Sequence, residues 1–284
     1  MIIQPLPTAP GLFVAAAVDD RNGTPISATG LGETEDKARL LCQAELIERM
    51  TLNAARSGAA VGGAAGRDRD MAIVHALWEA AEREAAWAWW LGEREPVPLS
   101  DDANGILYHL RECWQIGPRP VRLARLATPL HYPTIAAVTH SREGHDLCIG
   151  SATRATEDAA IRAAVKEMLQ MAFGLELIRY RETHGRPPDP REQRHLDRAT
   201  SLAIGDCAPL FRATRHHEPH SACPVELLAQ PHLDWLGQCA NVAQLTFDAA
   251  CPGGWWVAQV TLPETHGNAL SATDPPLWSR WPLY

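Results

Sequence analysis

The chain has 284 residues, is 46% hydrophobic and carries a formal charge of −8 at neutral pH. That length allows one large domain or two small ones, with a sizeable core. The acidic balance argues against a nucleic-acid backbone or an anionic membrane as the main partner. No apolar run nears the roughly 18 residues that would suggest a membrane span. The start MIIQPLPTAPG has no charged or apolar signal segment, so a cytoplasmic location is expected. Seven cysteines, widely spaced and without a C-x-x-C pair, fit reduced thiols better than a disulfide framework or a zinc site.

In chain order, LFVAAAVDDRNGTPISATG predicts two strands around the Asn22-Gly23 turn. A helix follows in GLGETEDKARLLCQAELIERMTLNAA, with Thr34 as N-cap and Glu35 and Asp36 in its first turn. GAAVGGAAG reads as a small-residue loop, and a second helix is expected from about Asp68 to Trp90. ILYHLRECW, VRLARLATPL, TIAAVTHS and DLCIGSAT read as successive strands, and a third helix runs from about Thr156 to Glu176. HGRPPDPREQ reads as a polar loop, and NVAQLTF and WWVAQVTLP as late strands. The prolines of the tail at 271–284 exclude helix there. The whole is expected to be one mixed α+β domain over 1–284, with antiparallel sheets packed on long helices.

The three helices share a spacing. Ala38 precedes Glu45 by seven and Glu48 by ten; Ala72 stands likewise to Glu79 and Glu82, and Ala160 to Glu167 and Gln170. Gly32 and Gly66 each lie six before the alanine, and Arg154 holds that place in the third copy. Such a repeat suggests three helices packed in comparable roles.

Residues three apart on a helix share a face. Glu45 and Glu48 therefore point one way, as do Glu79 and Glu82. Two such helices facing each other would gather four carboxylates, which require cations among them. All-oxygen ligands favour Mg²⁺ or Ca²⁺, and Mg²⁺ commonly bridges to phosphates. The plainer reading is that Glu45–Arg49 and Glu79–Arg83 are i, i+4 helix ion pairs on a solvated face. A di-iron site would need Glu-x-x-His, where Glu-x-x-Glu stands. HHEPHSAC (His216, His217, Glu218, His220, Cys223) is rich in ligand types but lacks ligand spacing. Gly30 and Gly32 could cradle a phosphate at a helix start or simply make a tight turn. Trp87, Trp89 and Trp90 read as core, with an indole N–H bonded at an edge.

The order of these pieces resembles the YcaO family. ATGLGETEDKARLLCQAELIERM is similar to its first signature, a G-x-G turn followed by E-x-x-E-R. GGAAGRDRDMAIVHALWEAAEREAAWAWWLG is similar to the second, with Glu84 where the family usually has Asp. TIAAVTHSREGHDLCIGSATRATEDAAIRAAVKEMLQ and WVAQVTLPETHGNAL resemble later segments. The resemblance implies an ATP-dependent enzyme that activates a peptide backbone amide, forming azolines in a ribosomally made peptide. It implies ATP and Mg²⁺ as cofactors, with the metal on Glu45, Glu48, Glu79 and Glu82. The nucleotide site would add Gly30, Gly32, Arg49, Arg83 and Glu167; no catalytic residue is singled out. Implied partners are a precursor peptide, a separate leader-peptide-recognition subunit and a flavin-dependent azoline dehydrogenase, with a homodimer left open. The chain departs from the pattern at Leu31, Leu41 and Val61, apolar where the family is polar, and Arg162 is one residue out of register. Those departures leave room for a subunit that scaffolds a partner enzyme instead.

Overall fold

A computed structural model describes residues 1–19, 25–52, 61–128, 132–211 and 244–262. Its elements are β1 (Ile2–Leu6), β2 (Ala9–Asp19), β3 (Ile26–Gly32), α1 (Glu35–Leu52), β4 (Val61–Gly66), α2 (Arg69–Trp90), α3 (Ala103–Trp114), β5 (Val121–Leu126), β6 (Thr134–Thr139), β7 (Cys148–Thr153), α4 (Glu157–Thr183), α5 (Pro190–Ser201), β8 (Gln244–Cys251) and β9 (Trp255–Thr261). The mixed α+β class expected from the sequence is the class observed.

The three long helices start where their caps dictate. Thr34 Oγ1 accepts from Lys37 N at 3.2 Å, the Asp68 carboxylate from Met71 N at 3.0 Å and Thr156 Oγ1 from Ala159 N at 3.3 Å. Each cap satisfies an N–H that the first turn leaves without an intrahelical partner.

Each of these helices follows the edge strand of its own three-stranded antiparallel sheet. The sheet orders are β1-β2-β3, β5-β6-β7 and β8-β9-β4. The first two units are continuous in sequence. The remaining one borrows β8 and β9 from the end of the described chain to pair with β4, through Gly63↔Gln259 and Ala64↔Ala258. The spacing repeat of the helices is thus one βββα unit used three times.

Close approach of strand to helix explains two glycines. A Cβ on Gly62 would lie 2.0 Å from Ala76 O, and one on Gly150 would lie 2.4 Å from Ala164 O and 2.2 Å from Met168 N. Both stand ten residues before the repeat alanine, and both meet backbone, which cannot swing aside. The corresponding residue of the first unit is Ala28, packed with Ala15, Ala38 and Cys42.

Several expected elements differ. Residues 106–114 belong to helix α3 and are not a strand. Ala103, Ile106, Leu107, Leu110 and Trp114 recur at helical spacing and pack into the core between the first and third units. GAAVGGAAG is not a loop where it is described: Val61–Gly66 is strand β4, its glycines being the ones that let α2 approach. HGRPPDPREQ is not all loop either. Asp189 and Glu192 bond each other's backbone N–H at 2.8 and 3.0 Å, a capping box with Pro190 as first helical residue of α5. The strand β1 had no sequence counterpart, and α4 runs seven residues past the expected Glu176. The turn Asn22-Gly23, the HHEPHSAC cluster and the tail 271–284 lie outside the described residues.

Trp89 and Trp90 are core residues, and Trp89 Nε1 donates to Leu210 O at 2.6 Å. Glu84, 1% exposed, is held by the Arg94 guanidinium through two contacts of 2.9 Å. The five described cysteines, Cys42, Cys113, Cys148, Cys207 and Cys251, are free thiols. No helix among the described residues is long and apolar enough to cross a membrane.

Candidate nucleotide and cation site

The three repeat helices turn their matching faces to one cavity of about 770 Å³. Glu45 and Glu48 reach it from α1, Glu79 and Glu82 from α2, and Glu167 and Gln170 from α4. Glu48 and Glu82 are each only 8% exposed. The two readings of these glutamates turn out to be compatible. Glu45 does pair with Arg49, and Glu79 with Arg83 at 3.1 Å, yet all four side chains line the cavity.

The repeat fixes the geometry. The residue seven after the alanine reaches back to the strand of its own unit: Gly63 N donates to Glu79 Oε2 at 2.7 Å, and Ser151 N to Glu167 Oε2 at 3.0 Å. Gly63 and Ser151 are equivalent, each nine before the repeat alanine. The residue ten after the alanine reaches to the next unit. Ser151 Oγ donates to Glu82 Oε1 at 2.9 Å, and Gln170 Nε2 donates to Thr29 Oγ1. By the same correspondence the position matching Ser151 and Thr29 at the third junction is Gly63, which has no side chain. The helices of all three units thus surround one cavity in a ring, two of their junctions joined by side-chain hydrogen bonds.

Electrostatics within the ring are strained by like charge. Burial raises the Glu82 carboxyl well above the usual range, and the charges of Glu167 and Glu79 add to this; Arg154 and the Ser151 hydroxyl pull the other way. Glu167 is pushed up to about 7 by burial, against the Ser151 N–H, Arg154 and Arg83 that draw it down, with Glu79 raising it further.

This has a measurable consequence. A carboxyl that holds its proton more tightly folded than unfolded stabilises the fold at low pH. It loses that contribution as pH rises through the folded value. Ligand-free wild type should therefore lose more melting temperature between pH 5 and pH 8 than a Glu167→Gln variant, with the difference developing between about 4.5 and 7. His75, which burial holds down to about 4, works in the opposite sense and is common to both. Millimolar Mg²⁺ with ATP should restore the lost melting temperature at pH 8 and have less effect at pH 5. Calorimetric melts over that range check it.

The carboxylates suit a hard divalent cation in donor type and charge. Among the described residues no three His, Cys, Asp or Glu side chains close into a ready cage. Mg²⁺ does not need one, because it keeps waters and takes one or two carboxylates plus substrate phosphates. The residues present thus fit Mg²⁺ on an anionic ligand. Positive side chains for such a ligand stand in the same cavity: Arg154 and Lys166, the latter bridged to Glu33 at 3.1 Å.

Gly30 lines the cavity, whereas Gly32 is outside its lining. Neither forms a free phosphate-cradling turn. Both lie in β3, where an added Cβ would meet Cys42 N at 2.3 Å or Ala38 N at 2.4 Å. Leu31 and Leu41 line the cavity as well. Thr29, Ser151, Arg154, Lys166 and Gln170 were missed as site residues. For Gln170 the signal was present: it occupies the repeat position of Glu48 and Glu82. Ser151 and Thr29 are equivalent strand positions that become visible only once the strands are aligned on the helices.

A helix-borne carboxylate ring with Arg and Lys side chains in the same cavity is of the class into which a divalent metal on an anionic ligand would fit. A family model described as YcaO cyclodehydratase, ATP- and Mg²⁺-binding, matches residues 58–230, and the chain belongs to the YcaO family. No curated protein matches the sequence. The fold is similar to the YcaO protein of Methanopyrus kandleri bound with AMPPCP and Mg²⁺, with TM-score 0.58 and 14% identity over 92% of this chain and 84% of that one. It is also similar to a heterocyclase in complex with substrate and cofactor (TM-score 0.55, 18% identity, 75% of this chain). A further match is the E. coli microcin synthetase McbBCD complex (TM-score 0.50, 13% identity, 88% of this chain). The chain spans 28% of that heterocyclase and 63% of the matched microcin synthetase chain.

Proposed function

We propose that the chain is an ATP- and Mg²⁺-dependent cyclodehydratase that activates a backbone amide of a ribosomally made peptide and closes it to an azoline. The observation that carries this reading is the convergence of Glu45, Glu48, Glu79, Glu82 and Glu167 on one cavity with Arg154 and Lys166. In the reaction, a Cys, Ser or Thr side chain adds to the preceding amide carbonyl. ATP, when bound, would supply the phosphoryl group that turns the resulting oxygen into a leaving group, so that the peptide loses one water overall while ATP becomes ADP and phosphate. Mg²⁺ would supply charge neutralisation on the triphosphate. Glu45, Glu48, Glu79 and Glu82 would hold it. Arg154 and Lys166 would orient the phosphates, and Ser151 would position Glu82 through its hydroxyl and Glu167 through its N–H.

The relatives support partners in kind: one structure is of a heterocyclase with substrate, another of a multi-subunit synthetase. A precursor peptide and a separate leader-recognition subunit are proposed here, with a flavin-dependent azoline dehydrogenase acting afterwards. The chain incubated with its partners, ATP, Mg²⁺ and a Cys-containing precursor should yield a peptide lighter by one water, with ADP and phosphate. No nucleotide turnover in any combination would reject the enzyme.

Leu31 and Leu41 in the cavity wall favour a second reading, a subunit with weakened nucleotide contacts that scaffolds a partner. Calorimetry with ATP and Mg²⁺ separates the two, since tight binding excludes the scaffold.

A further inference from the structure

The cavity extends well beyond the carboxylate ring. Along α4 its lining runs from Ala163 past Glu167 and Gln170 to Met171, Gly174, Leu175 and Ile178. At 1.5 Å per residue, the part beyond Gln170 is roughly 12 Å long. Its far wall is α5 with its N-cap, through Asp189, Glu192, His195 and Arg198, and the entry to β7, through Leu147 and Cys148. The Asp189 and Glu192 carboxylates are taken up by each other's backbone N–H, and Glu192 also by Arg181.

Gly174 is the informative residue. It sits inside a 27-residue helix, where glycine is less favourable than alanine. Gly62 and Gly150 have a packing reason, because a Cβ there would strike backbone. A Cβ on Gly174 would meet nothing within 4 Å, and its backbone is ordinary helix. Packing therefore does not require a glycine there, and the space above it is continuous with the site.

The two sides of the ring differ in character. Towards the N-terminal halves of the helices the cavity carries Arg154, Lys166 and His75, suited to the charged nucleotide. The arm over Gly174 is walled on its α4 and β7 sides by Leu147, Met171, Leu175 and Ile178. An arm that is apolar on its α4 and β7 sides, and whose α5 carboxylates are already hydrogen-bonded, suits an uncharged peptide segment with an aliphatic side chain that fills the space. Roughly 12 Å takes three to four residues of extended chain.

We infer that this arm receives the acceptor peptide beside the amide to be activated, and that Gly174 keeps it wide enough for a branched aliphatic side chain. The inference rests on the cyclodehydratase reading for the identity of the peptide, not for the existence of the arm.

The test uses N-acetyl-leucyl-cysteinamide and N-acetyl-glutamyl-cysteinamide as probes, with saturation-transfer NMR on the full chain and calorimetry with ATP–Mg²⁺. In the wild type the leucyl methyls should receive saturation, and the leucyl probe should bind at least ~10-fold more tightly than the glutamyl one. Gly174→Leu should weaken the leucyl probe by a similar factor and leave ATP–Mg²⁺ affinity within about twofold, while Gly174→Ala binds as the wild type. A Gly174→Cys variant provides a readout without a bulky group: the leucyl probe should slow its reaction with methyl methanethiosulfonate. Equal protection by ATP–Mg²⁺ alone, or loss of ATP affinity in Gly174→Leu, would give the arm to the nucleotide and overturn the inference. Probes that bind wild type and Gly174→Leu alike would also overturn it. Wild type that binds the leucyl probe but no ATP would leave the arm standing and remove the proposed enzyme.

Discussion

Glu82→Gln is expected to lower ATP-dependent turnover roughly 10²–10³-fold, the usual scale for removing one electrostatic contact to a transition state, and at the same time to raise the melting temperature of the ligand-free chain. The opposite signs come from one cause. Glu82 is 8% exposed and faces the charges of Glu167 and Glu79, so without a cation its ionised form works against the fold. The amide keeps the size and can still accept from Ser151 Oγ, and it removes the like-charge repulsion. A glutamate serving only as a helix ion pair would behave differently: its amide would be neutral to turnover and slightly destabilising. Glu84→Gln makes that contrast within one turn of helix. Glu84 is also buried but is matched by Arg94, so its amide should lower stability. Steady-state turnover and calorimetric melting of both variants decide the point.

Gly150→Ala is expected to destabilise the chain by at least about 3 kcal/mol, beyond ordinary overpacking, whereas Gly174→Ala should stabilise it by about 1 kcal/mol. The chemical change is identical. At Gly150 the new methyl would lie 2.2 Å from Met168 N and 2.4 Å from Ala164 O, forcing β7 off α4. That displacement would also move Ser151, whose N–H and hydroxyl hold Glu167 and Glu82. Gly150→Ala should therefore lose activity even under conditions where it remains folded. Urea titrations of the two variants, with turnover measured well below the midpoint, separate these effects.

Helix starts were legible in the sequence because caps are local: Thr34, Asp68 and Thr156 act within three residues. The glutamate faces were legible for the same reason, since a spacing of three on a helix fixes a shared side. The spacing repeat also survived, and proved to be the organising element of the fold. What it did not convey was that the second unit closes with strands from the far end of the described chain. Pairing between Gly63 and Gln259 leaves no local trace. The residues 61–66 looked like loop because glycine and alanine are poor strand formers; here close packing against α2 selects them over propensity. The stretch 106–114 looked like strand because Ile106, Tyr108 and Trp114 favour strands, whereas the spacing of Ile106, Leu107, Leu110 and Trp114 is helical. The α5 capping box was readable as Asp189-Pro190-x-Glu192, but the neighbouring prolines masked it. In the site, carboxylates were found by their charge. Ser151, Thr29 and Gln170 were not, because hydroxyls and amides acquire meaning only through the partner that the fold gives them.

The most direct test is a crystal structure of the chain grown with Mn²⁺ and a non-hydrolysable ATP analogue, using the anomalous signal to locate the metal. Metal density is expected inside the ring, in contact with carboxylates from both α1 and α2 and with the nucleotide phosphates. Nucleotide bound elsewhere on the surface, or metal held by neither helix while Glu48 and Glu82 keep only protein partners, would contradict it.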